Sequence, residues 1–189
     1  MWTMNGLWAV DGSVTRWMVR HRTPFLDHVA YLLMYAGAPV PLLVMLLVAA
    51  VLAAFRRELV RPVVAGALAA AAADVTTEWL KPSFARPRPE AHLALVTATG
   101  YSFPSAAAAT VFAGAVAVIC AGRRTASPLP RAGAVVPALL LGIAVLVGAA
   151  VIYLGVHWLS DVVVGAVEGA VIGYAVAWVV TLRRAHRSH

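Results

Sequence analysis

The chain has 189 residues, of which 62% are hydrophobic and only 12% charged, with a formal net charge of +7 and a mean hydropathy of +0.84. Such values exclude a water-soluble domain, and the length allows one domain. The positive charge does not indicate a nucleic-acid partner, because the basic residues are scattered through short segments between apolar runs, as membrane topology requires.

The first segment, MWTMNGLWAVDGSVTRWMVRHR, alternates Trp2, Trp8 and Trp17 and three arginines with polar residues. It lacks the uninterrupted apolar run of a cleavable signal peptide and reads as an amphipathic helix lying in the headgroup layer. Residues 24–38 are apolar but carry Asp27 and His28 and stop before Pro39 and Pro41. They read as interfacial or as a kinked extension, with a sixth span there as the alternative. Runs long enough to cross a bilayer, roughly 20 residues each, then follow at 40–56, 62–80, 104–122, 132–153 and 159–182. The expected fold is therefore all-α: a polytopic bundle of five transmembrane helices with an N-terminal interfacial helix. One membrane domain covers 1–189, with an interfacial segment 1–38, a helical core 39–182 and a basic cytoplasmic tail 183–189. Cys120 sits alone inside a span, so no internal disulfide exists. Gly165, Gly169 and Gly173 recur every four residues in the last span, a smooth face for close helix packing.

Five spans put Arg56, Arg57, Arg61, Arg123, Arg124, Arg131, Arg183, Arg184 and Arg187 on one side, expected to be cytoplasmic, and Arg16, Arg20, Arg22, Lys81, Arg86 and Arg88 on the other. Six cations on a translocated side call for an anion. Three of them stand in the segment 81–103, KPSFARPRPEAHLALVTATGYSF, whose prolines fix an extended path. Lysine and arginine donors suit a phosphate, although juxtamembrane cations by themselves commonly anchor to lipid headgroups. Pro104 and Ser105 open the next span, and a serine N-cap leaves amides that also bind phosphate. His157 and Asp161 lie four apart at the start of the last span, on one helical face. There a carboxylate can fix one imidazole nitrogen and leave the other free as nucleophile or base. The same topology places all of these residues on one side of the membrane.

This ordered trio resembles the type 2 phosphatidic acid phosphatase family of membrane lipid phosphate phosphatases. Its first motif, Lys, six residues, Arg-Pro, is matched by Lys81 to Arg88-Pro89. The second, Pro-Ser-Gly-His, reads Pro104-Ser105-Ala106-Ala107 here, and the third, Ser-Arg, five residues, His, three residues, Asp, reads Ala150-Val151, five residues, His157, three residues, Asp161. The resemblance covers roughly residues 25–182. It implies a phosphatase-like core without metal or other cofactor, acting on a lipid phosphate among membrane lipids. Lys81, Arg88 and Ser105 would clamp phosphate, His157 would form a phosphohistidine, and Asp161 would orient it.

The same resemblance implies two losses. The general-acid position is Ala107, and the position of an arginine that neutralises the transferring phosphoryl is Val151. General acid catalysis typically contributes about 10²–10⁴-fold, and a lost charge clamp costs a similar amount. Three explanations stand open: Ala107 is an engineered substitution; the chain binds or transports lipid phosphates without cleaving them; or its substrate needs no proton donor. The third favours a polyprenyl pyrophosphate, whose leaving group is already a stable anion. His92 is a candidate replacement acid. Asp74, Glu78 and Glu168 are intramembrane carboxylates whose partners the sequence does not identify.

Overall fold

In the computed structural model, the described residues are 4–36, 44, 47–49, 51–52, 55–124 and 134–182. Six α-helices stand out among them: α1 (Met4–Arg20), α2 (Pro24–Ala36), α3 (Arg57–Phe84), α4 (Ala106–Arg124), α5 (Val135–Tyr153) and α6 (Leu159–Leu182). A single 3₁₀ turn, Ala91–Leu93, interrupts the long connection between α3 and α4. Helices α3 to α6 are long and apolar enough to cross a membrane. They match four of the five expected spans, and the chain is an integral membrane protein. The expected span at 40–56 falls largely outside the described residues. Helix α2 has 13 residues, about 20 Å at 1.5 Å per residue, too short to cross the hydrocarbon core by itself.

The bundle keeps small side chains inside and large ones outside. Helix α3 buries Ala65, Ala69 and Ala73, α4 buries Ala109, Ala113 and Ala117, and α6 adds Ala177 in one cluster. Leu68, Val75, Trp79, Leu139, Val167 and Val171 are exposed on the outer surface. In lipid, large apolar groups gain nothing by turning inward, whereas small ones let backbones approach and gain dispersion contacts. At Gly169 a Cβ would collide with the carbonyl oxygen of Ala109, and at Gly173 with that of Ala113. The glycine stripe of α6 therefore rests on the backbone of α4.

Two features differ from the sequence reading. Helix α3 does not stop at Lys81: it continues through Pro82 to Phe84 and ends at Ala85, which is left-handed (φ 44) and donates its N–H to Lys81 O at 3.0 Å. A proline in the last turn forgoes only one intrahelical bond, so the helix tolerates it. The irregular segment thus runs from 85 to 105. The second difference concerns α1, which buries Asp11 and Thr15, at 2% and 1% exposure, while Trp17 is exposed. Beyond carrying an interfacial face, this helix docks on the bundle.

Gly169→Ala should lower the thermal unfolding temperature in detergent, by an overpacking cost of about 1–3 kcal/mol. Gly142 is also helical, but a Cβ there would meet nothing within 4 Å, so its replacement by Ala should stabilise slightly. Equal responses at the two positions would contradict the close α4–α6 packing.

Candidate functional site

One end of the bundle gathers the C-termini of α3 and α5, the N-termini of α4 and α6, and the segment 85–105. His157 lies in the short connection between α5 and α6, 6% exposed, and Asp161 lies in the first turn of α6, fully buried. Their Nδ1 and Oδ2 atoms are 3.4 Å apart, an ion-pair separation longer than a closed hydrogen bond. The other oxygen functions of Asp161 are occupied: Oδ2 accepts the Trp158 N–H at 2.9 Å and Oδ1 accepts Arg86 Nη1 at 2.5 Å. His157 Nε2 points the opposite way, 3.3 Å from Arg88 Nη1.

Arg88 is fixed by backbone carbonyls. Its guanidinium donates to Val156 O at 2.8 Å, to Thr99 O at 3.0 Å and to Gly100 O at 3.1 Å. Lys81 is buried at the end of α3 and pairs with Glu78 Oε1 at 2.5 Å. The Glu78 side chain is 57% exposed, so solvent screens this pair and an incoming phosphate can compete for the ammonium. Ser105 is the N-cap of α4: its Oγ accepts the Ala108 N–H at 3.4 Å, while its own N–H donates to Asp161 O at 3.0 Å. Its close approach to α6 is possible because Gly165 offers no Cβ there. The first-turn amides of α4 lack intrahelical acceptors. Free amides at a helix start are of the kind that can donate to an anion.

The sequence grouped Arg86 with Lys81 and Arg88 as a phosphate ligand, and the structure gives it different partners. Arg86 turns inward, where Nη1 donates to Asp161 and Ser160 and Nη2 donates to Asp11 Oδ2 at 2.6 Å. Two buried carboxylates compete for its charge more strongly than a solvated anion would. Removing one partner of a buried ion pair costs about 3–5 kcal/mol, which marks Arg86 as a structural tie. Asp11 and Ser160 were missed by the sequence reading. The only signal for Asp11 was a lone acid on an otherwise basic helix.

The remaining expected positions separate. Ala107 is half-buried and packs against the apolar cluster that contains Val151, itself 2% exposed. His92 is exposed on the 3₁₀ turn and is absent from the wall of the neighbouring cavity. Glu168 accepts a hydrogen bond from Thr77 Oγ1 at 3.2 Å, across α3 and α6. Asp74 faces outward on α3. Among the described residues no three His, Cys, Asp or Glu side chains come together as a metal set.

Beside Arg88 lies a cavity of about 340 Å³ walled by Pro89, Ala94 to Ala98, Gly155 and Val156. Its outer wall is pinned from three directions. Arg22 donates to Leu93 O at 2.7 Å, Tyr31 Oη to Leu95 O at 2.8 Å, and Leu95 N–H to Leu154 O at 2.9 Å. Gly155, at φ +76, lies so near Leu93 O that a side chain there would not fit.

A family model described as the PAP2 superfamily matches residues 62–185. The crystal structure of a transmembrane PAP2-type phosphatidylglycerolphosphate phosphatase from Bacillus subtilis is similar with a TM-score of 0.81 at 25% identity, covering 93% of this chain and 87% of that one. Aquifex aeolicus LpxE is similar with a TM-score of 0.70 at 30% identity, covering 88% and 93% respectively. No curated protein matches the chain significantly.

Burial pushes the His157 imidazole below its ordinary value, Asp161 opposes this, and the Arg88 and Lys81 charges add to it. The ring is therefore neutral at pH 7, with its acid transition below the usual value of about 6.5. Histidine NMR in detergent should show that lowered midpoint, and Asp161→Asn should lower it further. A midpoint at or above the ordinary value would contradict the site's electrostatics.

Proposed function

This chain belongs to the PAP2 superfamily, and on that premise we propose that it hydrolyses a lipid phosphate, with a polyprenyl pyrophosphate as the favoured substrate, on the extracytoplasmic side of the membrane. The observation that carries the reading is the orientation of His157, with Nδ1 toward Asp161 and Nε2 toward Arg88. A non-catalytic phosphate binder needs the cations but has no use for a buried, neutral imidazole backed by a carboxylate.

The reaction divides into two displacements. Arg88, Lys81 and the start of α4 hold the terminal phosphoryl group, and His157 Nε2 attacks phosphorus. An N–P bond forms, and the bond to the leaving oxygen breaks. The positive charge that develops on the ring is met by Asp161 through Nδ1–H. Water then attacks the phosphohistidine, releasing inorganic phosphate, restoring the imidazole and yielding one proton to phosphate or solvent.

The position of Ala107 in the Val151 cluster supports the choice of substrate. Both family groups missing from this chain are replaced by apolar side chains packed in one cluster, so the two departures form one joint change in the wall. That pattern does not follow from a single engineered substitution at 107. With no acid in that wall, a leaving group that departs as a stable anion suffers least. A lipid pyrophosphate expels such a group, a phosphate monoester. Phosphatidate and the phosphatidylglycerolphosphate named for the Bacillus enzyme expel an alkoxide, which must be protonated. The five-span reading of the sequence assigns six cations to this side and nine to the other, which supports the outward orientation.

Phosphate release from a polyprenyl pyrophosphate and from phosphatidate in detergent should differ strongly in favour of the pyrophosphate. Ala107→His should raise phosphatidate turnover by about 10²-fold with a much smaller effect on the pyrophosphate, and His157→Ala should abolish both. Equal rates on the two lipids would defeat the substrate choice. Lipid binding without release in both the parent and the Ala107→His protein would leave a binder or transporter on this scaffold.

A further inference from the structure

Asp11 sits in the middle of α1, 2% exposed, and its carboxylate is fully engaged with the opposite end of the chain. Oδ1 accepts the Ser160 N–H at 2.9 Å, and Oδ2 accepts both the Ser160 hydroxyl at 2.6 Å and Arg86 Nη2 at 2.6 Å. The Ser160 hydroxyl in turn accepts from Arg86 Nη1 at 2.6 Å. A closed ring thus joins a helix upstream of the family-matched region to the residue immediately before Asp161.

From this geometry we propose that Asp11 is a positioning residue for the reaction: it caps the first turn of α6 and takes the second guanidinium nitrogen of Arg86, so that Asp161, bonded to the first through Oδ1, does not hold the whole cation and keeps negative charge facing His157 through Oδ2. The role rests on the hydrolytic reading given above. An apolar residue would tether α1 as well and would avoid the desolvation cost of a buried carboxylate. A carboxylate is required only if charge is needed at that place.

The charge balance supports this division of labour. Asp11 and Asp161 share one guanidinium, so the side of the imidazole facing Nδ1 retains net negative charge. The opposing charges around the ring are Arg88 from the 85–105 segment and Lys81 from α3. The site positions on α4 and α5, Ser105, Ala107 and Val151, carry no charge. Without the Asp11 charge, Arg86 falls entirely to Asp161. The carboxylate then supports a cationic ring less well, both when a proton adds and when phosphorus bonds to Nε2.

Asp11→Asn keeps the shape and one acceptor oxygen while removing the charge. In the full chain in detergent it should lower kcat on a polyprenyl pyrophosphate by about ten- to a hundredfold, with KM little changed, and move the His157 NMR titration to lower pH. Thr15→Val, on the next turn of the same buried face, should leave the titration and kcat unchanged. An Asp11→Asn protein that keeps the parent titration and kcat overturns the proposal, as does one in which Thr15→Val produces the same shift. If Asp11→Asn does not fold, Asp11→Ser removes the charge with a smaller side chain that still offers an acceptor: a lower kcat at constant KM with a lowered titration supports the proposal, and parent values overturn it. The titration is independent of turnover. A shift in Asp11→Asn within a parent that releases no phosphate supports the coupling and refutes only the hydrolytic reading.

Discussion

Everything at the functional end of the bundle depends on one guanidinium held between two buried carboxylates. Arg86 bonds Asp11 on α1 and Asp161 on α6, and its own backbone carbonyl accepts the Ser102 N–H at 2.9 Å. Three parts of the chain that share no local structure are therefore fixed by one residue. Domain stabilities are typically about 5–15 kcal/mol, so an uncompensated charge at this point, at about 3–5 kcal/mol, would consume a large part of the total. The same tie sets the local electrostatics, because whatever share of the cation Asp11 takes is withheld from Asp161.

The bundle beneath supplies rigidity by an inversion of soluble-protein packing. Alanine and glycine line the helix contacts and the bulky residues meet lipid. Backbones packed that closely leave little freedom in the relative height of α4 and α6. That height matters because Ser105 at the head of one helix donates to the Asp161 carbonyl at the head of the other. A smooth helical stripe and an anion-binding helix start, which look unrelated along the chain, are the lower and upper ends of one contact.

How much of this was legible in the sequence follows from the range of each interaction. His157 and Asp161 are close in sequence at the head of α6, although His157 precedes the helix instead of sharing its face, and Lys81, Arg88 and Ser105 stand at or between helix ends, where topology decides the side of the membrane. Those positions could be read directly. Arg86 could not, since a single residue separates it from Arg88 and composition gives both the same donors. Only the fold shows that Arg88 faces His157 and backbone carbonyls while Arg86 faces two carboxylates. Asp11 was further out of reach: its partner Ser160 is 149 positions away, and a single acid on an amphipathic helix looks like any solvated polar residue. The helical continuation through Pro82 was hidden because proline reads as a stop, whereas the last turn of a helix has little left to lose.

Helix α1 is made first and α6 last, yet the ring of Asp11, Arg86 and Ser160 needs both. During synthesis, every earlier helix enters the membrane while Asp11 and Arg86 still lack the α6 half of their network. The ring around Arg86 therefore closes only when α6 has been made and has joined the bundle. A truncated product lacking α6 would carry Arg86 and His157 without Asp161, and would be exposed to quality control as a chain with its polar interior open. Docking of α6 and closure of the ring are the same event.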